Sequence, residues 1–106
     1  MKMSKKRQPN ITEINFVPIK PVNGLVGFVS FVLDSNLYLG SIGVITKIPN
    51  GYRLVYPTRN TNGNSINVFH PINKEFAAMV ELQVLTRIEE VLNQTNDRYN
   101  SNFLGR

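Results

Sequence analysis

Phe69-His70-Pro71-Ile72-Asn73 is the stretch at which this chain changes its periodicity. Upstream of it, β-branched and aromatic residues come in short runs separated by turn signals. Downstream, apolar residues recur at spacings of three and four. Pro71 lacks an N–H and resists any helix arriving from upstream. Asn73 is a good N-cap, and Glu75 falls in the first turn, where the helix dipole favours an acid. Ala77, Val80, Val84, Ile88, Val91 and Leu92 then form one apolar stripe, with Glu75, Thr86 and Glu89 on the opposite face. Met79 and Leu82 also fall toward that outer face. The pattern weakens after Leu92, and Gln94-Thr95-Asn96-Asp97 reads as the helix stop, leaving residues 94–106 as a polar C-terminal tail.

Upstream, four turn signals divide the chain: Asn23-Gly24, Asp34-Ser35-Asn36, Asn50-Gly51 and Asn62-Gly63. Asn-Gly tolerates positive φ at both central positions, as a type I′ hairpin turn requires. Strands are therefore expected over 11–20, 25–33, 37–47, 52–57 and 65–70. Connections this short force antiparallel neighbours, which predicts an α+β protein: a meander of about five strands followed by one long amphipathic helix. The second strand, Leu25-Val26-Gly27-Phe28-Val29-Ser30-Phe31-Val32-Leu33, is apolar on both faces. The helix covers one. The other needs a second layer or strong curling of the sheet, and a homodimer is the expected solution.

Composition limits the possible functions. The chain has 106 residues, one domain's worth, with 42% apolar and 18% charged residues, as in a globular protein. The absence of cysteine excludes disulfides and Cys-based zinc sites. Gln8-Pro9-Asn10 interrupts the basic start before any apolar signal segment, and no run of apolar residues is long enough to span a bilayer, so a cytoplasmic location is expected. Charge is unevenly placed. Residues 1–60 carry eight bases against Glu13 and Asp34, whereas residues 61–106 carry four bases against five acids. The positive field thus belongs to the N-terminal arm and the hairpins, which suits a polyanionic partner such as nucleic acid.

The candidate binding residues follow from this placement. Lys47 and Arg53 flank the Asn50-Gly51 turn, where strand partners lie about 5 Å apart, and Arg59 is expected on the next loop. Lys5, Lys6 and Arg7 lie on the arm, residues 1–10, and could reach phosphates or a minor groove. Between Asn73 and Asn93 the helix carries only Lys74 and Arg87 against four acids, which argues against a helix that reads DNA. His70, the sole histidine, has no second His or Cys to complete a metal site and no glycine elbow or spaced acid and hydroxyl to form a catalytic set. His70, Pro71 and Asn73 are read as a structural junction. Neither an enzyme, a cofactor, a metal nor a small-molecule substrate is expected.

Taken in order, these features resemble the stage V sporulation protein G (SpoVG) family of septation regulators. The likeness covers residues 11–93 and rests on Ile11-Thr12-Glu13-Ile14, Leu33-Asp34, the run Leu37 to Ile45 ending at Asn50-Gly51, Tyr56-Pro57-Thr58-Arg59, and Phe69-His70-Pro71-Ile72-Asn73. It implies a small α+β homodimer of bacterial origin that binds DNA site-specifically, with RNA bound by some members, and regulates transcription, sporulation or cell division. The family's paired basic residues after proline are replaced here by Arg59-Asn60. The alternative expectation is a dimeric protein-interaction module with the same fold and no nucleic-acid function.

Overall fold

A computed structural model describes residues 8–104, and side chains through Asn93. The chain is α+β. Strands β1 (Ile11–Val22), β2 (Leu25–Leu33), β3 (Leu37–Thr46) and β4 (Tyr52–Val55) form an antiparallel sheet in the order β1-β2-β3-β4. Strands β5 (Thr58–Thr61) and β6 (Asn64–Asn67) form a separate two-stranded ribbon, and helix α1 (Lys74–Leu104) follows.

Helix and sheet meet through one apolar layer. Val80, Val84 and Ile88 of α1 are buried against Val29 and Phe31 of β2, Ile42 and Val44 of β3 and Leu54 of β4. The predicted stripe is therefore the face that packs. Glu75, Thr86 and Glu89 are exposed, as is Leu82, whereas Met79 is half-buried.

Two irregularities keep the apolar side chains on the helix side. In β3 the inward set runs Leu37, Leu39, then Ile42, Val44, a switch from odd to even positions. Phe31 pairs with Leu39 and Val29 with Ile42, so Gly40 and Ser41 together oppose Ser30, and Ser41 takes a φ of 61°. In β1 the switch falls between Ile11 and Ile14, at Glu13 with a φ of 53°. Each is a bulge that places two residues opposite one, which corrects the phase of the alternation. Gly27 is required for a different reason: a Cβ there would lie 2.6 Å from both the Phe16 ring and the Val17 carbonyl.

The hairpin turns divide by type. Asn23-Gly24 has φ values of 51° and 88°, and Asn62-Gly63 has 52° and 82°, both the left-handed pairs that a type I′ turn needs. Asn50-Gly51 differs from expectation. The last β3–β4 pair is Thr46–Tyr52, only Gly51 has positive φ, and Lys47 N–H donates to the Gly51 carbonyl at 2.9 Å. Pro49 inside this longer loop moves Asn50-Gly51 away from the two central positions of a tight hairpin.

The expected fifth strand of the meander is not part of the main sheet. β4 ends at Val55, two residues short of Pro57, whose missing N–H cannot extend the ladder. The chain then turns away into β5–β6, closed by Val68 N–H donating to the Pro57 carbonyl at 3.0 Å. The predicted 65–70 strand is thus β6, and its partner β5 lies where a loop was expected. The helix also continues past Gln94-Thr95-Asn96-Asp97 to Leu104. No Gly or Pro interrupts the sequence between Lys74 and Leu104, so propagation meets no breaker until Gly105. At 31 residues the Lys74–Leu104 helix has the length of a membrane span but not the apolarity, and no helix among the described residues is long and apolar enough to cross a membrane.

The sheet face away from the helix is uncovered. Val17, Phe28, Gly43 and Val55 form one row across all four strands on that face. Val17 is 53% exposed, Phe28 40% and Val55 42%, and Tyr38 lies on the same face at 70%.

Replacing Ile88 with Ala should cost about 2–5 kcal/mol by urea denaturation, because it opens a cavity in the single apolar layer. Replacing exposed Leu82 with Ala should stay within about 0.5 kcal/mol. Equal costs at the two positions would contradict the assigned packing face.

Candidate nucleic-acid interface

The junction Phe69–Asn73 is built from local bonds. Asn73 Oδ1 accepts from Phe76 N–H at 2.8 Å, and its carbonyl accepts from Ala77 N–H at 2.9 Å. Asn73 therefore caps α1 as its residue type predicts. His70 Nδ1–H donates to the Pro71 carbonyl at 3.0 Å; a carbonyl only accepts, so the ring proton sits on Nδ1. Phe69 packs edge-on against Tyr56, with ring centroids 6.0 Å apart and planes at 72°. Behind this pair lies a cavity of about 200 Å³, lined by Phe31, Leu39, Phe76 and Val80, with His70 and Pro71 also on its wall.

Two polar contacts beyond the sequence reading hold this end of the molecule. Glu81 on α1 accepts from Leu54 N–H at 3.0 Å, satisfying a backbone donor of the short edge strand β4. Burial pushes the Tyr56 phenol up from 10.0 to about 12, and the Glu81 carboxylate adds to the shift by disfavouring a phenolate beside it. At the other edge, Gln83 Nε2 donates to the carbonyl of buried Pro9 at 3.0 Å, fixing where the chain enters β1. An acid and an amide on an otherwise apolar helix shoulder were the only signals of these bonds.

The expected basic residues are dispersed. Lys47 is exposed just beyond β3, and Arg53 is exposed on β4 directly opposite Ile45. Arg53 is paired with Ile45, two residues before Lys47, so the two bases are not direct strand partners. Arg59 is exposed on β5, paired with Ile66, so it stands on the ribbon and not on a loop. Lys5, Lys6 and Arg7 lie outside the described residues. Among the described residues the one ion pair is Arg87–Glu90 at 3.3 Å on the outer helix face. Lys47, Arg53 and Arg59 are therefore unpaired there.

A sharper electrostatic signal is the distribution of acids. From Ser35 to Lys74 the sequence contains no Asp or Glu, while Lys47, Arg53, Arg59 and Lys74 supply four positive charges. This stretch comprises β3, β4, the ribbon and the first residue of the helix. No protein-family model matches the chain, and no curated protein matches it.

Asn73→Ala should cost about 1 kcal/mol of stability, read from urea midpoints, because Phe76 N–H loses its acceptor. The Tyr56 shift adds a pH signature. A folded-state value raised above the unfolded value stabilises fully below pH 10, and that contribution is lost as pH rises from 10 towards 12. Tyr56→Phe should remove that loss and the latest-titrating component of phenolate absorbance. An unchanged alkaline titration in the variant would contradict the assignment.

Proposed function

We propose that the chain is a homodimeric, sequence-specific nucleic-acid-binding regulator of the stage V sporulation protein G type, acting on DNA or RNA in the cytoplasm. The observation that carries this reading is the acid-free stretch from Ser35 to Lys74, along which Lys47, Arg53 and Arg59 stand exposed with no acidic partner among the described residues. Exposed bases with no intramolecular pairing keep their full charge available for phosphates, and each phosphate contact releases a counterion. Dimerisation is supported by the uncovered row Val17, Phe28 and Val55, an apolar strip that a second copy would remove from water. The helix contributes little to such binding, since its outer face exposes Glu75, Glu89 and Glu90.

A protein-interaction module is the second reading. It draws on the same uncovered sheet face and on Leu82, 69% exposed on the outer side of the helix.

Duplex binding measured by fluorescence anisotropy at several salt concentrations separates the two. The nucleic-acid reading expects affinity to fall linearly with salt on logarithmic axes. Arg59→Ala should lower affinity and reduce the slope by about one, and removal of residues 1–8 should do so separately while leaving the Pro9 anchor in place. Folded protein that retains no DNA or RNA at low salt, yet recovers a stoichiometric nuclease-resistant partner, would establish the second reading instead.

A further inference from the structure

Among the described residues the β5–β6 ribbon packs against neither another strand nor the helix. All eight of its strand residues are exposed, and no Cα of either strand lies within 8 Å of another strand or of the helix among the described residues. An isolated two-stranded hairpin is marginal in water, so a sequence that maintains one away from its own core needs a partner surface to justify it. We infer that this ribbon enters the major groove of duplex DNA with the face formed by Arg59, Thr61, Asn64 and Ile66, Arg59 holding a phosphate and the other three reading base edges. The inference rests on the nucleic-acid reading above and assigns that reading its recognition element.

The dimensions fit. Four residues per strand at about 3.4 Å each give a ribbon about 14 Å long. The major groove is about 8.5 Å deep and about 12 Å wide, enough to admit a two-stranded β-ribbon. The tip is Asn62-Gly63, small and uncharged, so nothing there repels phosphates on entry.

Register decides which face reads. Arg59 pairs with Ile66 and Thr61 with Asn64, which places these four on one face; Thr58, Asn60, Ser65 and Asn67 occupy the other. Only the first face carries a charge complementary to a polyanion. Arg59 supplies that charge to a phosphate, and the other three residues span base-edge readout: Asn for adenine N6 and N7, and the methyls of Thr and Ile for the thymine methyl. Ile66 is 51% exposed, and a thymine methyl would cover it. The opposite face is uncharged and wholly polar, as suits a surface left in water. No acid lies within the ribbon or in the segments joining it to β4 and α1, so the whole arm meets DNA without like-charge repulsion.

The test uses the full chain and a duplex obtained by selection from random DNA, with a scrambled duplex of equal composition as reference. Asn64→Ala should reduce the preference for the selected duplex by about tenfold while leaving scrambled-duplex affinity and the salt slope unchanged. Asn60→Ala, on the other face, should change the preference by less than about twofold. Both positions are exposed and remote from the core, so thermal melts should coincide with the parent's. Preference retained in Asn64→Ala, or lost equally in Asn60→Ala, overturns the inference while the nucleic-acid reading stands. Parent protein that binds both duplexes equally overturns the inference and the sequence-specific part of that reading, and leaves nucleic-acid binding itself standing. Parent protein that binds neither at low salt overturns the underlying reading and the inference with it.

Discussion

One layer of apolar contact organises the molecule: Val80, Val84 and Ile88 seated on Val29, Phe31, Ile42, Val44 and Leu54. An α-helix presents a stripe and a sheet presents a face, and each needs the other to leave water. With one helix among the described residues, that layer is the core they build. The bulges at Glu13 and Ser41 serve it directly, since each rotates the alternation so that the next inward residue is apolar. So does Glu81, which secures the shortest strand of the main sheet to the helix by accepting the Leu54 N–H. The limits of this layer explain the rest. Among the described residues nothing covers one sheet face, and no other strand or helix supports the ribbon that follows Pro57.

The sheet and helix were legible in the sequence because their patterns have strong periods. Val80, Val84 and Ile88 announce one helical face, and Asn23-Gly24 and Asn62-Gly63 announce left-handed turns that the backbone adopts. Asn50-Gly51 misled because turn type depends on what surrounds the dipeptide; Pro49 lengthens the loop, and only Gly51 takes positive φ. β5 was missed for an equally physical reason. Thr58-Arg59-Asn60-Thr61 is polar on both faces, and a strand with nothing to bury carries no alternation to detect. The helix end was placed too early because loss of the apolar stripe ends packing, not hydrogen bonding.

The candidate site was legible residue by residue but not as an arrangement. Arg59, Arg53 and Lys47 are each exposed, as lone bases between strands would be expected to be. Their distribution is different from a single basic patch: Lys47 and Arg53 sit at one corner of the main sheet, and Arg59 stands on the ribbon. His70 and Asn73 spend their polar groups on neighbouring backbone, which shapes the junction and sets the direction of the helix. Periodicity cannot foretell that a hairpin will detach from the sheet it follows. That depends on the position of a proline relative to the last ladder bond.

The central claim is that the ribbon is free in the isolated protein and engaged in the complex with duplex DNA. Residue-resolved amide hydrogen exchange tests it most directly, because exchange reports local opening separately for each segment. The account predicts fast exchange at Arg59–Ile66 in the free protein, slow exchange at Val80–Ile88, and protection gained across the ribbon when duplex is added. Ribbon amides already protected in the free protein, or protection appearing only on the helix, would contradict it.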